Sequence, residues 1–172
     1  MSEQTPSAFL EDFEDRAKRT RKGKVCELLV ISKLLDKGLE VYTPTIDTGI
    51  DCIVKSKTNH SYFELQIKGT KYNVSIRGGR KVQAHAKNSN YFLVFVSDRK
   101  HTTHHAKDIF FLDSNDIQKQ IEKCNINKKE DETVHLHIGL DDRKKFLQEN
   151  SFNKLVKRMA EPVQNIEFNI QT

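Results

Sequence analysis

A chain of 172 residues with a net charge of +5 is long enough to bury a real core in one domain and needs no stapled scaffold. Its three cysteines, Cys26, Cys52 and Cys124, stand singly without a CxxC pair, which argues against a disulfide framework and a structural zinc site and favours a reducing cytoplasm. Met1 to Asp15 lacks a basic region followed by an apolar one, and no apolar run approaches the roughly 20 residues that cross a bilayer, so a secreted or membrane-embedded protein is not expected.

Residues 6 to 37 read as helical, charged up to about Arg19 and strongly apolar from Gly23 or Lys24 to Lys37, with Gly38 as the stop. Glu27 shares a stripe with Val30, Ile31 and Leu34, and an unpaired carboxylate buried there costs several kcal/mol unless a cation or donors meet it. A metal site or Lys68 would resolve that conflict; so would a place at the stripe's edge or a pairing with Lys24 or Lys33. Leu39 to Thr43 reads as a short strand ending before Pro44.

Next come two strands, Ile50 to Lys55 and Ser61 to Lys68, joined by the polar turn Lys57-Thr58-Asn59-His60. A turn centred on Thr58 and Asn59 pairs Asp51 with Gln66. Directly paired residues point to one face, so Asp51, Glu64, Gln66 and Lys68 share a polar face while Cys52, Val54, Phe63, Leu65 and Ile67 turn to the core. Further on, Asn73 to Lys81 is a Gly-containing excursion, Gln83 to Asn88 a short helix, and Tyr91 to Val96 a strand buried on both faces. Ile109 to Leu112 reads as another strand. Asp113 or Ser114 can cap a helix to about Lys123, Lys123 to Glu132 is a polar connection, and Thr133 to Ile138 alternates like a strand. Asp141 to Met159 is helical with a break at Asn150-Ser151. This order predicts an α/β domain with a mixed sheet flanked by helices and a helical C-terminal part.

The chemistry concentrates at Gly49-Ile50-Asp51 and Gln66-Ile67-Lys68. Hydrolysis of a phosphodiester needs a cation to offset developing charge and lower the pKa of the attacking water, and a hard cation takes oxygen ligands. Asp51 offers a carboxylate, Gln66 an amide oxygen, and Ile67 its main-chain carbonyl, with Glu27 and Glu64 as further candidate ligands. Lys68 is suited to orient or activate water and to neutralise phosphate charge. An isolated Asp before a strand is usually a turn residue and an exposed lysine is usually solvated; their conjunction at this spacing is what points to a site.

Glu27 in the first helix, Gly49-Ile50-Asp51, then Gln66-Ile67-Lys68 resembles the PD-(D/E)xK nuclease superfamily, over roughly residues 20 to 120. It looks most like the branch with Mrr-type restriction nucleases, archaeal Holliday junction resolvases and the related group I intron homing endonuclease. The resemblance implies a restriction endonuclease-like core at 20–123, preceded by a charged helical segment at 1–19 and followed by a C-terminal extension at 124–172. It also implies a metal-dependent DNA endonuclease using Mg²⁺, with Mn²⁺ as a substitute, in which Glu27, Asp51, Gln66 and Lys68 are the catalytic set. Position 66 is Gln where most members have an acid, and this variant resembles the Mrr-type branch. The alternative is a catalytically silent nuclease fold that binds nucleic acid or a protein partner.

A pI near 9.0 and clustered basic residues suit a DNA partner, through release of phosphate counterions. Lys22 and Lys24 in the first cluster, and Lys71, Arg77, Arg80 and Lys81 beyond the site, are the expected DNA-binding residues. Cutting two strands with one site per chain favours a homodimer. His135 and His137, and the group His101, His104 and His105, lack ligand spacing for zinc, and no GxSxG, GxGxxG or P-loop lysine pattern occurs.

Overall fold

The computed structural model describes residues 6–46, 48–58, 60–70, 87–97, 108–123 and 140–160. The excursion Asn73–Lys81, nearly all of the expected helix before Asn88, the histidine-rich loop, the connection after Lys123 and the expected strand Thr133–Ile138 lie outside these residues, as do Lys71, Arg77, Arg80 and Lys81.

Helix α1 (Pro6–Asp36) opens on a proline, whose missing N–H is no loss at a first turn, and buries Cys26, Val30 and Leu34 four residues apart. Its end is a Schellman cap. Gly38 adopts φ +71°, the Gly38 amide bonds the Leu35 carbonyl (2.7 Å), and the Leu39 amide bonds the Leu34 carbonyl (3.2 Å) while both leucines are buried. Lys57 Nζ, from the hairpin turn, donates to the Lys37 carbonyl (3.1 Å) and adds a cation at the helix's negative end.

Strands β1 (Glu40–Tyr42), β2 (Cys52–Lys55), β3 (Tyr62–Thr70), β4 (Tyr91–Ser97) and β5 (Asp108–Leu112) form one sheet in chain order. All neighbours are antiparallel except β3 and β4, which run parallel. The β2–β3 register is the expected one: Cys52 pairs with Leu65, Ile53 with Glu64, Val54 with Phe63 and Lys55 with Tyr62. The Ser56 amide bonds the Ser61 carbonyl (2.8 Å) and closes the turn.

Helices α2 (Ser114–Lys123), α3 (Leu140–Glu149) and α4 (Phe152–Ala160) complete the described elements. Asp113 Oδ1 accepts the Asp116 amide (2.9 Å) and so caps α2. One sheet face, with Cys52, Val54, Leu65, Ile67, Phe92 and Val94, is covered by α1 and by Leu155 and Met159 of α4. On the other face Tyr91, Leu93, Phe95, Phe110 and Leu112 meet Ile117 of α2 and Phe146 of α3. The junction of α3 and α4 passes over the β5 edge, where the Phe111 amide bonds the Asn150 carbonyl (3.1 Å) and Ser151 bridges Phe110. The C-terminal helices therefore spend their apolar faces on both cores of their own chain. Every residue of β4 is buried, as expected of a strand covered on both sides. Among the described residues, no helix is long and apolar enough to cross a membrane.

Among the described residues, helices cover the second face over β4 and β5 only. Over β3 it presents Glu64, Gln66 and Lys68, all half-buried. That uncovered half is where the polar residues gather.

Candidate active site

Gly49 takes φ +89°, a region that favours glycine, and turns the chain so that Ile50 enters the second core at 8% exposure. The next residue, Asp51, is thereby delivered to the mouth of β2. Asp51, expected directly opposite Gln66, lies outside the strand pairing. The Asp51 amide turns to the Leu65 carbonyl (2.9 Å), and strand pairing begins only at Cys52. The bend at Gly49 and the burial of Ile50 pull Asp51 out of the ladder.

Asp51 instead caps β3 through its side chain: Oδ2 accepts the Ile67 amide at 2.5 Å. Because amide and carbonyl of one residue point to the same side of a strand, the Ile67 carbonyl projects beside this carboxylate, beyond the end of β2. Asp51 and the Ile67 main chain are thus brought together, and the parallel register with β4 sets Gln66 and Lys68 on one face with Leu93 and Phe95.

Gln66 has a partner that the sequence did not announce. Tyr91 is fully buried and its hydroxyl donates to Gln66 Oε1 at 2.8 Å. Burial, with the charges of Asp51 and Glu64 behind it, holds the Tyr91 hydroxyl above its ordinary pKa, so it remains a donor at neutral pH. The available signal was a tyrosine heading an apolar strand, since a buried hydroxyl needs a partner. Glu64 lies one cross-strand row away, where Oε2 accepts from Asn88 Nδ2 (3.2 Å), and Lys55 pairs with Glu40 (3.1 Å).

Glu27 sits at the edge of its stripe with a side chain 21% exposed, and Lys24 meets it at 2.7 Å, one of the resolutions its position allowed. The hydrogen bond and charge of Glu27, with a smaller contribution from Asp51, hold the Lys24 ammonium above its ordinary pKa. Burial foremost, then the charges of Asp51 and Glu27, push the Cys52 thiol up to about 12, which makes it an inert packing group. The Asp51 charge contributes, behind larger causes, to the raised pKa of Lys24, Cys52 and Tyr91 alike.

Gly69, directly after Lys68, sets how closely α1 can approach. A Cβ there would stand 2.7 Å from Cys26 Sγ, beside Glu27. Gly69→Ala is therefore expected to destabilise the fold by about 1–3 kcal/mol through overpacking, and Cys26→Ala in the same chain to recover part of it. Urea unfolding of the two single variants and the double variant reads the coupling; strictly additive losses would contradict the contact.

The candidate donors are all oxygen: the Asp51 carboxylate, the Gln66 amide, the Ile67 carbonyl and, on α1, Glu27; of these the hydrogen bonds join Asp51 to the Ile67 main chain, while Gln66 is held by Tyr91 and Glu27 by Lys24. Among the described residues no three carboxylate, imidazole or thiol side chains gather as a metal cluster. These donors fit a hard cation that keeps several water ligands and takes one or two carboxylates, the habit of Mg²⁺.

No family model and no curated protein matches this sequence. Among solved structures, the chain is similar to Hjc, a Holliday junction resolvase of the archaeal hyperthermophile Archaeoglobus fulgidus, at 10% identity and TM-score 0.52, over 79% of this chain and 96% of that one. It is also similar to I-Ssp6803I, a bacterial homing endonuclease, at 14% identity and TM-score 0.48, over 81% and 93% of the two chains. The resolvase carries the assignment of fold alone: this chain has a restriction endonuclease-like fold, a mixed five-stranded sheet flanked by helices.

Proposed function

We propose that this protein is a divalent-cation-dependent DNA endonuclease, with Mg²⁺ or Mn²⁺ held by Asp51, Gln66 and the Ile67 carbonyl and Glu27 as an outer acid. The observation that carries the reading is the Asp51 carboxylate seated on the Ile67 amide, within the segment Gln66-Ile67-Lys68. When bound, such a cation supplies charge neutralisation at the phosphate and a lower pKa for the attacking water.

The chain's own residues do the rest. Asp51, fixed by the Ile67 amide, presents its charge in one orientation. Tyr91 holds the Gln66 amide by its oxygen and thereby sets the rotamer. Lys68, on the same face, orients the attacking water and offsets the charge that grows on phosphorus. Lys22 and Lys24 on α1 contact DNA phosphates, together with the basic run Lys71, Arg77, Arg80 and Lys81 that follows β3 in sequence. A homodimer would bring two such sites to two strands.

The test is incubation of plasmid, linear and branched DNA with Mg²⁺, Mn²⁺ or EDTA, comparing wild type with Asp51→Asn and Lys68→Ala. Cleavage that needs the cation and both side chains supports the reading; equal cutting by all three proteins sinks it. A second reading, a silent nuclease fold that only binds, is favoured by one observation: Gln66 brings no charge and its oxygen already accepts from Tyr91. Gln66→Glu discriminates. If position 66 faces a cation, the added charge should tighten Mn²⁺ binding roughly tenfold by calorimetry, since ligand charge tunes affinity at such sites. Unchanged Mn²⁺ affinity would favour the silent fold.

A further inference from the structure

The half of the second face that no described helix covers holds a groove that the proposed cation site does not use. Tyr42 pairs with Ile53, Ile53 with Glu64 and Glu64 with Tyr91, so these four side chains form one row across β1 to β4. The row beside it is Glu40, Lys55 and Tyr62. Between them opens a cavity of about 460 Å³ lined by Tyr42, Tyr62, Ile53, Glu64, Asn88 and Asn90. Both tyrosines are about half exposed, 48% and 52%, on a sheet face where apolar surface normally gains a cover.

Resting on the nuclease reading, we propose that this groove takes an unpaired nucleobase next to the scissile phosphate, so that the substrate is DNA with single-stranded nucleotides flanking the cut. The chemistry of the walls selects that occupant. Two tyrosines and Ile53 line the groove, and aromatic rings offer flat apolar surface on which any base can stack. Glu64 is the one charged side chain in the lining, held by Asn88 (3.2 Å), while Glu40 at the outer margin is neutralised by Lys55 (3.1 Å); the lining thus offers a base's exocyclic amine an acceptor and a phosphate no cation. Glu64 is two residues before Gln66 on β3, about 7 Å along the strand. A base swung out of its stack beside a phosphate at Asp51 and Lys68 reaches the groove, whereas a base paired within continuous duplex does not.

The experiment measures equilibrium binding of wild type, in Ca²⁺ and in EDTA, to fluorescent duplexes that are continuous or carry two unpaired nucleotides. A 2-aminopurine at the unpaired position reports stacking. The expected result is at least tenfold tighter binding of the unpaired substrate, with quenched 2-aminopurine, and loss of that preference in Tyr42→Ala/Tyr62→Ala but not in Tyr42→Phe/Tyr62→Phe. Equal affinity of wild type for the two substrates overturns the proposal and needs no variant to fold. So does a preference undiminished in the alanine double variant, or sedimentation showing that these tyrosines hold two copies of the chain together. The two readings fail separately. Cation-dependent cleavage without substrate preference removes the groove and keeps the nuclease; preference without cleavage removes the nuclease and keeps the groove.

Discussion

Asp51→Asn is expected to reduce cation-dependent DNA cleavage by about 10²–10³-fold or more, the scale seen when one preorganised electrostatic group is removed from an active site. Asparagine is the informative replacement. Asp51 Oδ2 accepts the Ile67 amide, and alanine would leave that partly buried donor without its partner at a cost of about 1–3 kcal/mol, confusing loss of chemistry with loss of fold. Asparagine keeps an oxygen of the same reach and removes only the charge. Mn²⁺ binding should weaken in step with cleavage while the urea midpoint stays close to that of wild type. Lys68→Ala should show a different pattern, with lost turnover and retained cation binding, because its ammonium is no cation ligand. An Asp51→Asn protein that binds Mn²⁺ and cuts DNA as wild type does would end the assignment of this corner as the site.

Phe146→Ala should lower the stability of the whole domain by about 3–5 kcal/mol, a large share of the 5–15 kcal/mol that single domains possess. Phe146 comes from α3, far along the chain, and is only 6% exposed. Its ring stacks on Phe110 at 6.2 Å, and Phe110 stacks on Phe95 at 5.1 Å. Phe95 is the β4 partner of Lys68, so this aromatic series backs the strand next to the one that bears the candidate lysine. Leu155→Ala, on the opposite face, should cost a similar 2–5 kcal/mol because its cavity would lie within the core beneath α4. Chemical unfolding gives both values. Losses below about 1 kcal/mol would mean that the C-terminal helices are loosely attached, contrary to their two-sided packing.

Much of this architecture was legible because it is written in short-range pattern. The turn Lys57–His60 fixed the β2–β3 register, since a hairpin's loop length and the period-two alternation leave one solution. The Gly38 stop, the Asp113 cap, the buried β4 run and the break at Asn150-Ser151 were each carried by a few adjacent residues. Asp51 escaped the ladder because a backbone bend, driven by burial of Ile50 in a core that the local pattern does not contain, overrode the pairing. Tyr91 on Gln66 and Cys26 against Gly69 join residues 25 and 43 positions apart, and no periodicity encodes such contacts.

By itself, then, the sequence determined the element order, the polar face of β3 and the residue types of a nuclease-like motif, because these follow from propensity, alternation and side-chain chemistry. Only the tertiary structure decided that Asp51 reaches the Ile67 amide, that Tyr91 grips Gln66, and that Cys26 of α1 packs against Gly69. Those outcomes depend on how closely α1, β2 and β4 approach β3, a distance set by packing rather than by any local rule.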